Sequence, residues 1–168
     1  KIALLHLMDE FGIHTVDIGL PAAGPRACEA VEALAQEIVD SKLSITPNCA
    51  ARTLVTDVRP ITEISQAVGI PIEACTFIGS SPIRQLAEDW TLEKMLEISE
   101  KAVTFAVAEG LPVLFVTEDT VRARPETLKA LYGGAIEWGA SRLCVADTVG
   151  HATPDGVRAL IRFVIEEI

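Results

Sequence analysis

The stretch Leu92–Glu118, LEKMLEISEKAVTFAVAEGLPVLFVTE, contains the repeating unit of this chain. Its first part places apolar residues along one stripe at helical spacing and charged residues on the other side, which predicts an amphipathic helix over residues 91–109. Gly110 then favours the left-handed conformation that closes a last helical turn. The run from Pro112 to Val116 is continuously apolar, as is typical of a buried parallel strand. One helix followed by one parallel strand is therefore predicted here.

The same order of helix, glycine and apolar run occurs four times. The glycines are Gly12, Gly69, Gly110 and Gly139. The complete pattern predicts helices at about residues 2–11, 26–41, 56–68, 91–109, 125–138 and 154–168, and strands at about 13–19, 43–48, 72–78, 112–117 and 141–147. Consecutive right-handed βα units place each new strand beside the last, so we expect five parallel strands in sequential order within one domain.

An open doubly wound α/β sheet and a closed (β/α)8 barrel both produce this alternation. No Gly-x-Gly-x-x-Gly motif follows a predicted strand, which removes the commonest dinucleotide-binding form of the open sheet. Polar residues also follow nearly every strand rather than a single switch point, as in a (β/α)8 TIM barrel. A complete barrel needs about 250 residues. This chain has 168, so the sequence favours an α/β chain that covers part of a TIM barrel.

Composition restricts the class of protein. The chain is 49% hydrophobic and 23% charged, with a formal net charge of -10. This negative balance disfavours nucleic acid as a partner, because phosphate binding needs a basic face. No apolar stretch approaches the roughly 20 residues that cross a bilayer, so we expect no membrane association and a cytoplasmic location. The four cysteines form no Cys-x-x-Cys pair and are expected to be small core residues.

Polar and charged residues follow every predicted strand. In strand order they are Asp17 and Gly19; Asn48 and Arg52; Thr76, Ser80 and Ser81; Glu118, Asp119 and Arg122; and Asp147, Thr148 and His151. Because the carboxyl ends of parallel strands meet at one rim, we expect these residues to converge. Acids, hydroxyls and arginines together can bind a small oxygen-rich anion and move a proton. The alternative is that they only cap helices and line polar loops.

A net charge of -10 opposes the binding of anions unless cations gather locally. Five arginines fall near the predicted βα loops: Arg52, Arg59, Arg84, Arg122 and Arg124. Their field can outweigh a distant net charge that salt screens over about 8–10 Å. We expect Arg52 and Arg84 to face a substrate, and the alternative is that both make surface contacts of little functional weight.

Four segments together resemble a known family. They are TVDIGLPAAGP (residues 15–25), TFIGSSPI (76–83), FVTEDTVR (115–122) and ADTVGHATP (146–154). In this order, over essentially the whole chain, they are similar to 2-isopropylmalate synthase, homocitrate synthase and their relatives, the DRE-TIM metallolyase superfamily. The resemblance implies a (β/α)8 barrel. Residues 1–168 would then be a partial catalytic domain covering strands 2–6, with the first strand and strands 7–8 outside the chain.

The resemblance also implies a function. It implies an acyltransferase that joins acetyl-CoA to a 2-oxo acid in a metal-assisted Claisen-type condensation, with Mg, Mn or Zn in the complete enzyme. Glu118 resembles the glutamate near the acyl donor and is the candidate catalytic residue. Asp17, Arg52, Ser80 and Thr148 are the candidate substrate-binding residues, and a homodimer is expected. A carbon–carbon lyase of the same superfamily and a non-catalytic relative without the metal site are the alternatives.

Several family features are absent from the chain. The arginine-aspartate-acid motif and the His-x-His pair, which supply metal ligands in the family, do not occur, so no metal ligands are expected within these residues. His6 and His14 are expected to be structural. The remaining departures concern the substrate: Cys75 replaces a histidine common in isopropylmalate synthases, Val116 replaces a serine, and Leu114 replaces the arginine of homocitrate synthases. They leave the 2-oxo acid open and argue against a homocitrate synthase.

Overall fold

Five parallel strands lie side by side in the order in which they occur in the chain, and they curl into part of a TIM barrel. The computed structural model describes residues 1–168. The strands are β1 (Thr15–Asp17), β2 (Thr46–Arg52), β3 (Glu73–Gly79), β4 (Val113–Glu118) and β5 (Arg142–Val145). The helices are α1 (Ile2–Glu10), α2 (Pro25–Asp40), α3 (Val55–Val68), α4 (Pro82–Glu88), α5 (Leu92–Ala108), α6 (Pro125–Glu137) and α7 (Pro154–Glu167). The predicted strand order and orientation are confirmed.

The glycines that mark helix ends in the sequence do so in the structure. Gly12, Gly69, Gly110 and Gly139 each follow a helix, with φ values of 75°, 79°, 83° and 100°. A side chain would strain the backbone there.

No helix combines the length and the apolar composition that crossing a bilayer requires.

Alternate strand residues face two different surroundings. In β3, Ala74, Thr76 and Ile78 are at most 2% exposed and pack under the helices, whereas Cys75 and Phe77 lie on the opposite, concave face and are half-buried. The convex face carries the hydrophobic core, where Phe115 and Tyr132 meet edge to face at 6.4 Å between ring centroids. Burial on both faces was expected for these strands, but within residues 1–168 no opposite wall covers the concave one.

The second strand lies later in the chain than its sequence pattern predicts. The apolar residues Leu43 and Ile45 suggested a strand at 43–48, but β2 runs from Thr46 to Arg52. Leu43 packs against the core and Ile45 belongs to it, both in the connection before the strand. The residues Asn48–Arg52 instead pair in register with β3. Tertiary pairing therefore overrides the weak strand preference of the two alanines in β2.

The short helix α4 was not predicted. It has seven residues and none of them is buried, so it shows no apolar stripe. Its start is nevertheless ordinary, since the side chain of Ser81 accepts a hydrogen bond from the amide of Arg84 (3.4 Å) and Pro82 occupies the first turn. The helix turns the chain across the carboxyl end of β3, which places Arg84 at the rim of the sheet.

An ion pair crosses the concave face near the amino ends of the strands. Arg142 of β5 donates from Nε to Oε1 of Glu73 on β3 at 2.9 Å, and its Nη2 contacts the second carboxylate oxygen. The pair passes over Leu114 of β4, the register partner of Arg142. The Glu73 side chain is 9% exposed and that of Arg142 is 49% exposed. Glu73 therefore depends on Arg142 to compensate its buried charge.

We expect Arg142→Met to lower the free energy of unfolding by about 1–3 kcal/mol, because it leaves a buried carboxylate without its partner. Chemical denaturation of the full-length protein measures this loss. Lys129→Met is the control, since Lys129 pairs with Glu167 where both side chains are more than half exposed, and such pairs contribute roughly 0–1 kcal/mol. Adding Glu73→Gln to Arg142→Met should recover part of the loss. If Arg142→Met and Lys129→Met were equally stable, Arg142 would not be needed to compensate the buried charge of Glu73.

Candidate active site

Glu118 and Thr148 line one concave surface at the carboxyl ends of β4 and β5. The surface borders an open volume of about 340 Å³, and its other lining residues are Ala50, Cys75, Phe77, Val116 and Ala146. One carboxylate and one hydroxyl thus lie above a mostly apolar floor. Burial raises the pKa of the Cys75 thiol to about 12, so this thiol stays protonated and adds no charge to the floor. Such a surface can hold a small organic molecule and exchange a proton with it.

Thr148 is oriented by the backbone of the neighbouring strand. Its Oγ1 accepts a hydrogen bond from the amide of Asp119 at 2.8 Å. A threonine hydroxyl has one proton and two lone pairs, so this contact leaves the proton of Thr148 available to an acceptor. The loop that carries Thr148 is held by Asp147, whose carboxylate accepts hydrogen bonds from the amides of His151 (3.2 Å) and Ala152 (3.0 Å).

Asp119 forms the turn that follows Glu118. It adopts the left-handed conformation (φ 62°), and it is 1% exposed. Arg122 donates to its carboxylate from Nε at 2.7 Å and from Nη2 at 2.6 Å. These hydrogen bonds hold the pKa of Asp119 below its usual value, against the opposing effect of burial. The buried acid therefore has the partner that the sequence pattern requires, and it serves the turn.

A buried hydroxyl network joins the ends of β4 and β5. The hydroxyl of Thr117 lies 2.6 Å from that of Tyr132, which donates to the carbonyl oxygen of Cys144 at 2.8 Å. Thr120 accepts a hydrogen bond from the amide of Ala146 at 2.9 Å. The network sets the positions of Glu118 and Thr148 relative to each other. Sequence reasoning missed it because Tyr132 belongs to an ordinary apolar helix stripe and its partners come from two strands.

Ser80 lies directly behind Glu118. It is fully buried, and both its hydroxyl (2.9 Å) and its amide (3.0 Å) donate to the carbonyl oxygen of Glu118. Its hydroxyl proton is thus engaged with the backbone and is not offered to the concave surface. This contact fixes the backbone of Glu118, and the substrate contact expected of Ser80 from the sequence stays a prediction.

Arg52 and Asp17 have other local partners. Arg52, at the end of β2, donates from Nε and Nη2 to the Asp57 carboxylate at 2.7 and 2.9 Å, and so joins β2 to the first turn of α3. Asp17 accepts a hydrogen bond from the amide of Gly19 at 2.8 Å. It lies on β1, and two strands separate it from β4. The structure therefore brings Thr148 to Glu118 on one surface, whereas Asp17 lines a different cavity, beside α1.

The donor set does not fit a divalent metal within this chain. No group of three or more His, Cys, Asp or Glu side chains is placed to hold an ion. Asp17 and Glu118 stand on strands that are not neighbours. His6 contacts Glu37 of α2 at 2.8 Å, a contact between helices far from the rim. Metal sites in proteins need several converging oxygen, nitrogen or sulfur ligands, and these residues do not supply them.

Curated relatives match the whole chain at low identity. A 2-isopropylmalate synthase of Streptococcus gallolyticus is 29% identical over 167 residues, which cover 99% of this chain and 31% of the relative. The homocitrate synthase AksA of Methanocaldococcus jannaschii is 28% identical over 171 residues, covering 100% of this chain and 40% of the relative. The chain thus spans between 31% and 40% of the length of these two relatives.

Solved structures share the fold. The HMG-CoA lyase of Brucella melitensis superposes with a TM-score of 0.75 at 17% identity, covering 99% of this chain and 60% of that one. The HMG-CoA lyase of Bacillus subtilis gives 0.76 at 19% identity, with 99% and 57% covered. At these identities the likeness establishes a common architecture and nothing about the reaction. The HMGL-like family model matches residues 1–168, the full span of the half-barrel, and the chain belongs to that family.

Proposed function

We propose that the full-length protein catalyses a Claisen-type condensation of acetyl-CoA with a 2-oxo acid. The observation that carries the proposal is that the Glu118 carboxylate and the Thr148 hydroxyl, whose proton is not engaged, line the same apolar surface. The names of the curated relatives, which are synthases, support it. The carboxylate suits a base, and the hydroxyl suits a donor to a substrate oxygen.

In the proposed reaction Glu118 accepts a proton from the methyl group of acetyl-CoA. The electron pair of the broken C–H bond forms an enolate, whose carbon attacks the carbonyl carbon of the 2-oxo acid to make the new C–C bond. The carbonyl oxygen becomes an alkoxide, which takes up a proton. Water then hydrolyses the thioester and releases free CoA thiol. Residues 1–168 contribute the base and an oxygen-binding hydroxyl to this sequence.

Release of CoA thiol tests the proposal directly. Full-length protein is incubated with acetyl-CoA, Mg²⁺ or Mn²⁺ and a panel of 2-oxo acids, and the thiol is measured with and without each acid. Release that depends on one 2-oxo acid is the expected result. No release with any acid, together with cleavage of a 3-hydroxyacyl or 2-hydroxy acid substrate, would favour the lyase alternative. Neither activity would favour a non-catalytic relative.

We expect Thr148→Ala to raise the KM for the 2-oxo acid while kcat changes less. The variant removes one hydrogen bond to a charged oxygen, which corresponds to about 1–3 kcal/mol, or roughly a 5- to 150-fold change. Steady-state kinetics with the acid varied at saturating acetyl-CoA measure it. Thr148→Ser is the matched control, because it keeps the hydroxyl and should stay near wild type. A KM that is unchanged in Thr148→Ala would remove Thr148 from the substrate site.

A further inference from the structure

A second cleft opens on the other side of Glu118. It has a volume of about 410 Å³ and lies between the carboxyl ends of β2 and β3 and the helices α4 and α5. We refer to it as the rim cleft. The lining residues that matter here are Arg52, Thr53, Gly79, Arg84, Trp90 and Lys94. Glu118 belongs to both surfaces, so a ligand in the rim cleft can reach the candidate base.

Two buried polar groups of the rim cleft lack hydrogen-bond partners. Thr53 is 3% exposed, and its hydroxyl has no partner. The Nε atom of Arg84 is also buried without one, since its contact with Glu118 Oε1 at 3.4 Å lacks hydrogen-bond geometry. More than about 90% of buried polar groups in proteins are paired. Both residues line the rim cleft, and an acceptor group bound there would supply the partners that the Thr53 hydroxyl and the Arg84 Nε atom lack within the chain.

Gly79 determines where Arg84 lies. A Cβ atom at Gly79 would come within 2.9 Å of both Cβ and Nε of Arg84. The stem of Arg84 thus rests on the bare backbone at the end of β3. Any larger residue would push the arginine away from the rim, so the glycine and the arginine form one structural unit.

Arg84 is the cation that an incoming anion can recruit. Arg52 is held in a two-bond pair by Asp57, and Lys94 pairs with Glu97 on the outer face of α5. Arg84 instead contacts Glu88 from Nη2 at 3.1 Å and Glu118 from Nε at 3.4 Å, and its own side chain is 37% exposed, that of Glu88 41% and that of Glu118 30%. Ion pairs at such exposure are weak, so an oxyanion can replace Glu88 at little cost.

We propose that the rim cleft binds an oxyanion, a phosphate or carboxylate group, through the guanidinium of Arg84 and the hydroxyl of Thr53. Both groups donate hydrogen bonds, and a guanidinium matches the geometry of either anion. The indole of Trp90 adds an apolar wall beside them. That the anion belongs to a substrate of Glu118 rests on the proposed function, whereas the anion site itself does not. The source is a phosphate of CoA or a second carboxylate of the 2-oxo acid.

Binding measurements on the full-length protein test the site without requiring catalysis. CoA, 3′-dephospho-CoA, pantetheine, and 2-oxo acids with one or two carboxylates are titrated by calorimetry into wild type, Arg84→Gln and Thr53→Val. A phosphate source predicts that Arg84→Gln weakens CoA binding by about tenfold or more, that Thr53→Val weakens it less, and that pantetheine binding is unchanged. If the anion is instead the second carboxylate of the 2-oxo acid, both variants should weaken binding of the dicarboxylic acid and leave CoA binding unchanged.

Two further variants complete the test. Gly79→Ala should reproduce the loss of Arg84→Gln although the guanidinium is still present. Lys101→Gln, a charge removed from α5 outside the cleft, should bind every ligand as wild type does. Wild-type affinity of Arg84→Gln and Thr53→Val for all ligands would overturn the proposal. Thiol release is measured on the same proteins. If the variants lose anion binding but the wild type shows no condensation activity, the proposed function is wrong and the rim cleft remains an anion site.

Discussion

Glu118→Gln is expected to lower kcat for the condensation by about 10²-fold or more in the full-length protein. The amide keeps the size and planar shape of the carboxylate but cannot accept the proton of the acetyl methyl group. Glu118 ends β4 with its side chain 30% exposed, and its backbone is held by Ser80. The substitution should therefore change thermal stability little. Single-turnover kinetics with saturating acetyl-CoA separate the chemical step from binding.

Glu88→Gln is the matched control for this prediction. Glu88 is also a carboxylate of the rim cleft and also contacts Arg84, but it lies on α4 and does not face the concave surface. The kcat of the Glu88→Gln variant should remain within a few-fold of wild type. If Glu118→Gln kept near wild-type turnover and unfolded more easily, Glu118 would be a structural partner of Arg84, and its assignment as the base would be wrong.

Arg122→Ala is expected to destabilise the protein by about 3 kcal/mol, at the lower end of the range for breaking a buried ion pair, because Arg122 is a third exposed. The variant leaves the carboxylate of Asp119 buried without its main partner. The amide of Asp119 orients Thr148, so the KM for the 2-oxo acid should rise as well. Chemical denaturation and steady-state kinetics measure the two effects on the same preparation.

The double variant Arg122→Ala with Asp119→Asn distinguishes this cause from a general loss of packing. Asparagine has no charge to bury and tolerates the left-handed backbone that Asp119 adopts. Much of the stability should therefore return. Acidification gives a second check. The pKa of Asp119 is lowered in the folded state, so its stabilisation is full above the ordinary aspartate pKa of about 3.9 and is lost as the pH falls from there through the lower pKa of the folded state. A double variant as unstable as Arg122→Ala would contradict the electrostatic explanation.

Most of the architecture follows from local pattern. Gly69 and Gly110 end their helices with positive φ, as their positions predict, and β3 and β4 lie within one residue of the predicted spans. These features depend on backbone sterics and on which side chains are apolar, and both are visible in a short window. The second strand was misplaced because its centre is made of small residues, whose preference for a strand is weak. Pairing with β3 supplied what the local pattern lacked.

The candidate site, like the fold, could be predicted from the sequence only in part. The rule that parallel strands end at one rim was enough to predict that Glu118 and Thr148 would lie together. It could not predict that Arg52 would be held by Asp57, or that the hydroxyl proton of Ser80 would be engaged by the Glu118 backbone. Several residue types could pair with the Arg52 guanidinium or accept a hydrogen bond from the Ser80 hydroxyl, and sequence order does not determine which one does.

The βα repeat, the parallel order and the polar strand ends can be predicted from the sequence, because each depends on interactions within a few residues. Which polar groups are paired with each other depends on the folded chain. Glu73 and Arg142 are 69 residues apart, and Asp119 and Thr148 are 29 apart. The unpaired hydroxyl of Thr53 also becomes visible only after the sheet has formed. Hydrogen bonds and ion pairs require atoms within about 3 Å of each other, and that proximity is a property of the folded chain.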